Sequence, residues 1–168
     1  YLSPLRPGQV IWGVGPVLQS PTATSGKKLG TEKWSAGPGA LVLTMPGHWV
    51  VGALANNISS FAGDNDREDV NFTTIQPFVN YNFPDHWYFV SGPVMTANWA
   101  AKARDVWTVP LGGGVGKMLR LGQILPLGGH EIAKVPFTTE LQAYGLVARP
   151  DDGAKWQLRF QLSFLFPQ

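Results

Sequence analysis

The residues with the types and spacing to do chemistry fall into a few groups. Segment 63–69 (GDNDRED) sets oxygen donors at Asp64, Asn65, Asp66, Glu68 and Asp69. Such a set could bind calcium, but the closing bidentate Glu and the full ligand spacing are missing, so a solvated loop is the plainer reading. His48, His86 and His130 all fall in expected turns. They would make a metal centre only if brought together with further ligands. Ser20, Ser35, Ser59, Ser60, Ser91 and Ser163 lack a Gly-x-Ser-x-Gly elbow and a local His or acidic partner, which speaks against a hydrolase. The run 112–116 (GGGVG) is followed by no helical pattern, so it is not a phosphate loop. Inside a strand, such glycines mark bending or close approach. The chain has no cysteine, which excludes a thiol nucleophile, a disulfide scaffold and Cys-ligated zinc. We expect no enzyme activity, no resident metal and no cofactor.

The remaining polar set is of a different kind. Gln76, Asn80, Glu140, Gln142, Gln157, Arg159 and Gln161 each alternate with apolar neighbours. Side chains in a strand point to opposite faces with period two, so these residues share one face and the apolar ones share the other. In a barrel this polar face lines the interior, where it meets either water and solute or its own side chains. Glu140 and Arg159 fall on neighbouring strands and are placed to pair.

The elements that position this set are strands. Gly (20) and Pro (14) divide the chain into segments of the length that crosses a bilayer at a tilt. We read eight: 9–20, 33–45, 48–60, 70–83, 87–99, 106–119, 137–149 and 155–166. In the last, Trp156, Leu158, Phe160, Leu162, Phe164 and Phe166 oppose Gln157, Arg159, Gln161 and Ser163. In the fourth, Ile75, Val79, Tyr81 and Phe83 oppose Gln76, Asn80 and Asn82, while Val70 and Phe72 are out of phase, which predicts a bulge near Thr73–Thr74. Segments 35–45 and 140–147 are apolar enough for a short helix, though glycine and proline argue against the first. The seven Trp fall near segment ends, as interfacial girdles do. Segments 45–48 and 83–86 are tight turns. On the opposite side the connections 21–32, 61–69, 100–105 and 150–154 are longer or more polar. The connection 120–136 is long for its side.

Composition supports a lipid-facing barrel without excluding a soluble sandwich or a lipocalin-like barrel. Only 14% of residues are charged, against about 25% in soluble domains. No apolar run of the roughly eighteen residues needed for a transmembrane helix exists. Net charge is +2 with the cations scattered, so nucleic acid is not an expected partner. The chain begins YLSPL, without an initiator Met or a signal-peptide pattern, so a signal peptide, if there was one, has been removed or left out.

Several longer motifs carry a resemblance: IWGVGPVL at 11–18 with PTAT at 21–24, KWSAGP at 33–38, GALAN at 52–56, SFAGD at 60–64, DVN at 69–71, QPFV at 76–79, WTVPLGGGVGK at 107–117 and LRFQLSFLFP at 158–167. In these the chain resembles a bacterial family of outer-membrane barrels known as "MetA-pathway of phenol degradation" proteins, also labelled neuromedin U-like transporters. The resemblance implies an all-β, antiparallel, up-and-down transmembrane β-barrel in the bacterial outer membrane, with a role in uptake of small hydrophobic or aromatic compounds. Members are usually longer at the N-terminus, so the chain would be one barrel domain over 1–168 or the C-terminal part of a longer barrel. Segment 123–135 reads as an insertion. Expected partners are membrane lipids, a small hydrophobic solute, and further copies or a larger membrane assembly. The alternatives are a structural or partner-binding barrel without a pore, and a lipid-binding barrel or outer-membrane enzyme.

Overall fold

The computed structural model describes residues 1–3, 8–22, 31–64, 66–120, 122 and 135–165. They form one all-antiparallel sheet of nine strands: β1 (Val10–Gln19), β2 (Lys33–Thr44), β3 (Trp49–Gly63), β4 (Asn71–Asn82), β5 (Trp87–Ser91), β6 (Met95–Asn98), β7 (Trp107–Arg120), β8 (Pro136–Ala148) and β9 (Trp156–Phe164). The order follows the chain, with β5 and β6 sharing the lane between β4 and β7. The sheet therefore has eight lanes running up and down. Segments 35–45 and 140–147, open to a helical reading, lie in β2 and β8. Alternation and β-branched or aromatic residues favour the strand there. Between β4 and β5 lies a 3₁₀ turn, Pro84–His86, and among the described residues no helix is long and apolar enough to cross a membrane.

The two tight turns are built differently. Gly47 takes φ +60° between β2 and β3, a conformation glycine adopts at no steric cost. Between β4 and β5, Asp85 and His86 both have positive φ, and Phe83 N–H donates to Trp87 O at 2.9 Å.

One expected strand is two. Residues 87–99 break at Gly92, Pro93 and Val94. Pairing of Val79 with Ser91 and of Ile75 with Met95 brings Pro77 opposite Pro93. Neither proline has an N–H to donate, so the ladder cannot continue. The bulge expected near Thr73–Thr74 is absent: β4 keeps one register with β3 from Asn71 to Tyr81. Phe72 thus lies on the same face as Gln76 and Phe78. Register shifts occur instead at Trp34/Ser35 and Val109/Pro110.

The sheet curls toward one face. Tyr88 on β5 reaches Glu140 on β8, with β7 between them, and Arg159 on β9 reaches Gly92 across β7 and β8. Lanes about 4.8 Å apart in a flat sheet would hold these groups too far apart. We call this concave face inner. The seam is open: β1 and β9 are not paired with each other. Leu2 bridges Val14 on the free edge of β1 through bonds of 2.7 and 3.0 Å.

The two faces differ sharply. All seven Trp point outward, in two bands. Trp12, Trp49 and Trp87 stand at the end with the tight turns; Trp34, Trp99, Trp107 and Trp156 stand at the other. Each is between 39% and 69% exposed. Between the bands the outer face carries residues such as Val51, Val115, Leu141, Leu158 and Phe160, all exposed. The strands contain five charges. Lys33, Glu140 and Arg159 have inward register positions. Arg120 ends β7, and Lys117 faces outward at band level with its Nζ 4.7 Å from the Trp87 ring centroid. Buried apolar side chains among the described residues are few: Ile58, Val90, Ala97, Phe137 and Tyr144.

Candidate functional site

The inner face has an apolar side and a polar side. From β1 to β4 its large side chains are mainly apolar, Val17, Leu41, Leu43, Leu54, Phe72 and Phe78, with Asn56, Thr74, Gln76 and Asn80 among them. From β5 to β9 it presents Tyr88, Glu140, Gln142, Tyr144, Arg159 and the outlying Gln157 and Gln161.

The polar side is one connected chain. The Glu140 carboxylate accepts from Tyr88 Oη at 2.9 Å and from Gln142 Nε2 at 2.8 Å. The Gln142 side-chain carbonyl accepts from Tyr144 Oη. Tyr144 Oη in turn accepts from the Gly92 N–H at 3.0 Å. Gly92 O accepts from Arg159 Nη1 at 3.3 Å. The Arg159 guanidinium also sits 5.5 Å from the Tyr144 ring centroid, within cation–π range. Gln142 and Tyr144 are 3% and 2% exposed. Buried polar groups of this kind hold their place only when their hydrogen bonds are made.

Glycine clears the space. Gly112, Gly114 and Gly116 take the inward positions of β7 opposite Tyr144, Gln142 and Glu140. A Cβ at Gly116 would lie 2.3 Å from Tyr88 Cζ, and one at Gly114 would lie 1.8 Å from Leu141 O. The glycine run is therefore a trough in which the polar chain lies.

All seven residues expected to line the interior occupy inward register positions. Glu140, Gln142 and Arg159 join the chain just described. Gln76 Nε2 lies 3.8 Å from where a Gly92 Cβ would stand. Asn80 also faces inward, and its Oδ1 is buried without a hydrogen-bond partner. Gln157 and Gln161 are exposed beside the open seam, where Gln161 Nε2 donates to Ser163 Oγ at 3.3 Å.

The expected Glu140–Arg159 pair does not form. Arg159 stands opposite Gln142, and Glu140 opposite Gln161. That register offsets the two charges, and each finds neutral partners instead. Sequence reasoning also missed Tyr88 and Gly92. The signals were present: a tyrosine in phase with the polar face, and a Gly-Pro pair inside a strand.

At the other end of the strands Lys33, 8% exposed, meets Asp69 at 2.7 Å. Hydrogen bonding and charge from Lys33 hold the Asp69 carboxyl below its ordinary value of 3.8. Glu32 and Arg67 pair at 3.4 Å nearby. The acidic segment 63–69 is thus tied into local contacts, with Asp64 Oδ1 accepting from the Asp66 N–H at 2.9 Å. Asn65 lies outside the described residues, as do His130, residues 123–134 and Phe166. No group of three or more potential metal ligands occurs among the described residues. His48 and His86 stand at the same end of the sheet; His48 stacks edge-on against Tyr81 at 6.2 Å.

A depression of about 770 Å³ lies on the outer face between the bands. Pro16, Pro38, Ala40 and Ala55 line it, where short side chains leave the apolar surface hollow. It is separate from the polar chain. No protein-family model, curated protein or solved structure matches the chain.

Proposed function

We propose that the chain forms the wall of a bacterial outer-membrane β-barrel channel that passes small hydrophobic or aromatic solutes bearing a polar group. The segregation of the two faces carries this reading. A soluble barrel turns its apolar face inward. Here the broad apolar face between two tryptophan bands is outside, and most of the strands' charged and amide side chains are inside, with Lys117 at band level and Asn57 as outward exceptions, which suits lipid around the wall and polar contact within it. The inner face supports the solute class: an apolar side for a hydrocarbon body, and an opposing row of amide, phenol, carboxylate and guanidinium groups for one polar substituent. The motif resemblance to the "MetA-pathway of phenol degradation" barrels points the same way.

Lipid forbids an open sheet edge, because unpaired N–H and C=O groups find no partner there. In a membrane the free edges of β1 and β9 must pair with each other or with further strands. Eight lanes closed on themselves leave an interior that side chains fill. A channel therefore calls for more strands, from a longer chain of which this is the C-terminal part or from further copies. The row of half-buried Glu140 with buried Gln142 and Tyr144 favours a second reading, a filled barrel with a structural role. Planar-bilayer recording separates the two. A channel should conduct, and Glu140→Gln and Arg159→Gln should shift the reversal potential in a salt gradient in opposite directions. Absence of conductance from properly inserted protein would sink the channel reading.

A further inference from the structure

We propose that Gly92–Pro93–Val94 is a hinged panel of the wall, latched from inside by Tyr144 and Arg159, that opens a sideways route for uncharged apolar solutes between the interior and the surrounding bilayer. This rests on the channel reading and extends it to where the solute goes.

The panel belongs to neither flanking ladder. β4 pairs with β5 through 79–82 and with β6 through 72–75, so 76–78 have no partner on that side. β7 pairs with β5 through 114–117 and with β6 through 107–108, so 109–113 have none either. Moving the panel aside would leave a window about 10 Å along the strands and about 10 Å across. A single aromatic ring or an acyl chain fits such a window. Pro93 stands six residues from Trp87 and six from Trp99, so the window is midway between the two tryptophan bands.

The break is written into residue chemistry on both sides. Pro77 faces Pro93 across one gap. On the other, Val90 pairs with Gly114 and Thr96 with Thr108, which brings Pro110 opposite Val94. Prolines at these positions remove ladder donors. Backbone outside a ladder is tolerated at membrane depth only when protein groups satisfy it. Here the satisfying groups are inner side chains. Tyr144 Oη takes the Gly92 N–H at 3.0 Å, and Arg159 Nη1 donates to Gly92 O at 3.3 Å. Ser91 Oγ donates to Gly112 O at 2.6 Å and ties the adjoining end of β5 to β7. Gly92 and Pro93 are buried, so the panel is shut.

These ties also place the latch where a solute would work it. Tyr144 and Arg159 belong to the polar row that would engage a solute's polar group. A solute that hydrogen-bonds to either one competes with Gly92 for the same atoms. Outside the window lie Phe89, Met95 and Leu111, an apolar exit.

Two measurements test the panel, and the first does not depend on transport. The chain has no native cysteine, so Val94→Cys is a unique thiol. In vesicles of the full chain, its labelling by a lipid-soluble maleimide should rise at least fivefold when Tyr144→Phe is added. An unchanged rate overturns the latch. The second uses Val94→Cys with Pro110→Cys, oxidised to lock the panel against β7. Oxidation should slow transfer of 1-naphthol into the vesicle bilayer at least tenfold, reversibly with dithiothreitol, while potassium chloride conductance stays the same. Equal transfer in the locked and reduced forms overturns the sideways route. A protein without conductance that still shows the labelling change would refute the channel reading and leave the panel standing.

Discussion

A single charge placed on the outer face discriminates lipid from water. Leu141 sits near the middle of β8, faces outward between Val115 and Phe160, and is 51% exposed. An arginine there at the bilayer midplane costs about 2–4 kcal/mol, and the cost falls to about 0–1 kcal/mol toward the interfaces. At RT of about 0.59 kcal/mol, Leu141→Arg should lower the folding equilibrium constant roughly 30- to 900-fold. If the same face met water, an exposed substitution would stay within about 0.5 kcal/mol, or about twofold. The two environments thus differ by at least an order of magnitude at one position.

The assay is urea titration of protein folded into phosphatidylcholine vesicles, followed by tryptophan emission. Two comparisons guard against a local artefact. Trp156→Arg, at band level, should cost well under half as much as Leu141→Arg. Gln161→Arg, on the inner face of β9 beside the open seam, should cost little. The lipid-facing reading is refuted if Leu141→Arg and Gln161→Arg cost the same, or if the unaltered protein stays a folded monomer without detergent.

Glycine positions give an internal control on packing. Gly114→Ala, whose Cβ would lie 1.8 Å from Leu141 O, should cost at least about 1–3 kcal/mol, whereas Gly145→Ala has nothing within 4 Å and should be tolerated in the same titration. The Lys33–Asp69 tie should respond to acid. Because Asp69 titrates below its ordinary value of 3.8 when folded, its contribution is full above that pH and is lost as pH falls through the lowered folded value. Protease resistance of segment 63–69 should therefore drop below about pH 4 in the unaltered chain and show no such step in Asp69→Asn. Tyr88→Phe removes one of the two donors to Glu140 and should narrow the reversal-potential difference between the unaltered chain and Glu140→Gln.

The parts legible in the sequence are those that local pattern decides. β9 stood out because it alternates large apolar and polar residues without interruption, and the seven inward positions followed from the same period. The parts that stayed hidden depend on relations between strands. Phe72 was read as out of phase because the inner face was assumed polar throughout. The inner face from β1 to β4 mixes large apolar side chains with Gln76 and Asn80, so Phe72 needs no bulge to reach its place. Glu140 and Arg159 were adjacent by strand order, but adjacency does not fix register. The connection 149–155 sets Glu140 against Gln161 instead, and a shift of two residues separates partners on the same face. The break at Gly92 was visible as a Gly-Pro pair, yet its meaning lay in Pro77 and Pro110, which no local window contains.

The polar row and the strand break explain each other. Tyr144 would keep Gln142 as its acceptor but lose the N–H that its hydroxyl accepts if β5 and β6 ran on as one ladder, because a laddered Gly92 N–H would point along the sheet. Conversely, Gly92 would leave two backbone groups unpaired without Tyr144 and Arg159, at about 1–3 kcal/mol each where they are shielded from water. Gly112, Gly114 and Gly116 then leave room on β7 for the side chains that bridge the gap. Proline placement, the glycine trough and the side chains of Tyr144 and Arg159 are thus one device distributed over four strands and the break. Removing any member should loosen the others, so Tyr144→Phe and Arg159→Gln should show a double-mutant coupling of about 0.5–3 kcal/mol, as residues sharing a partner do. Strict additivity would mean that the two side chains hold Gly92 independently and that the row is not a unit.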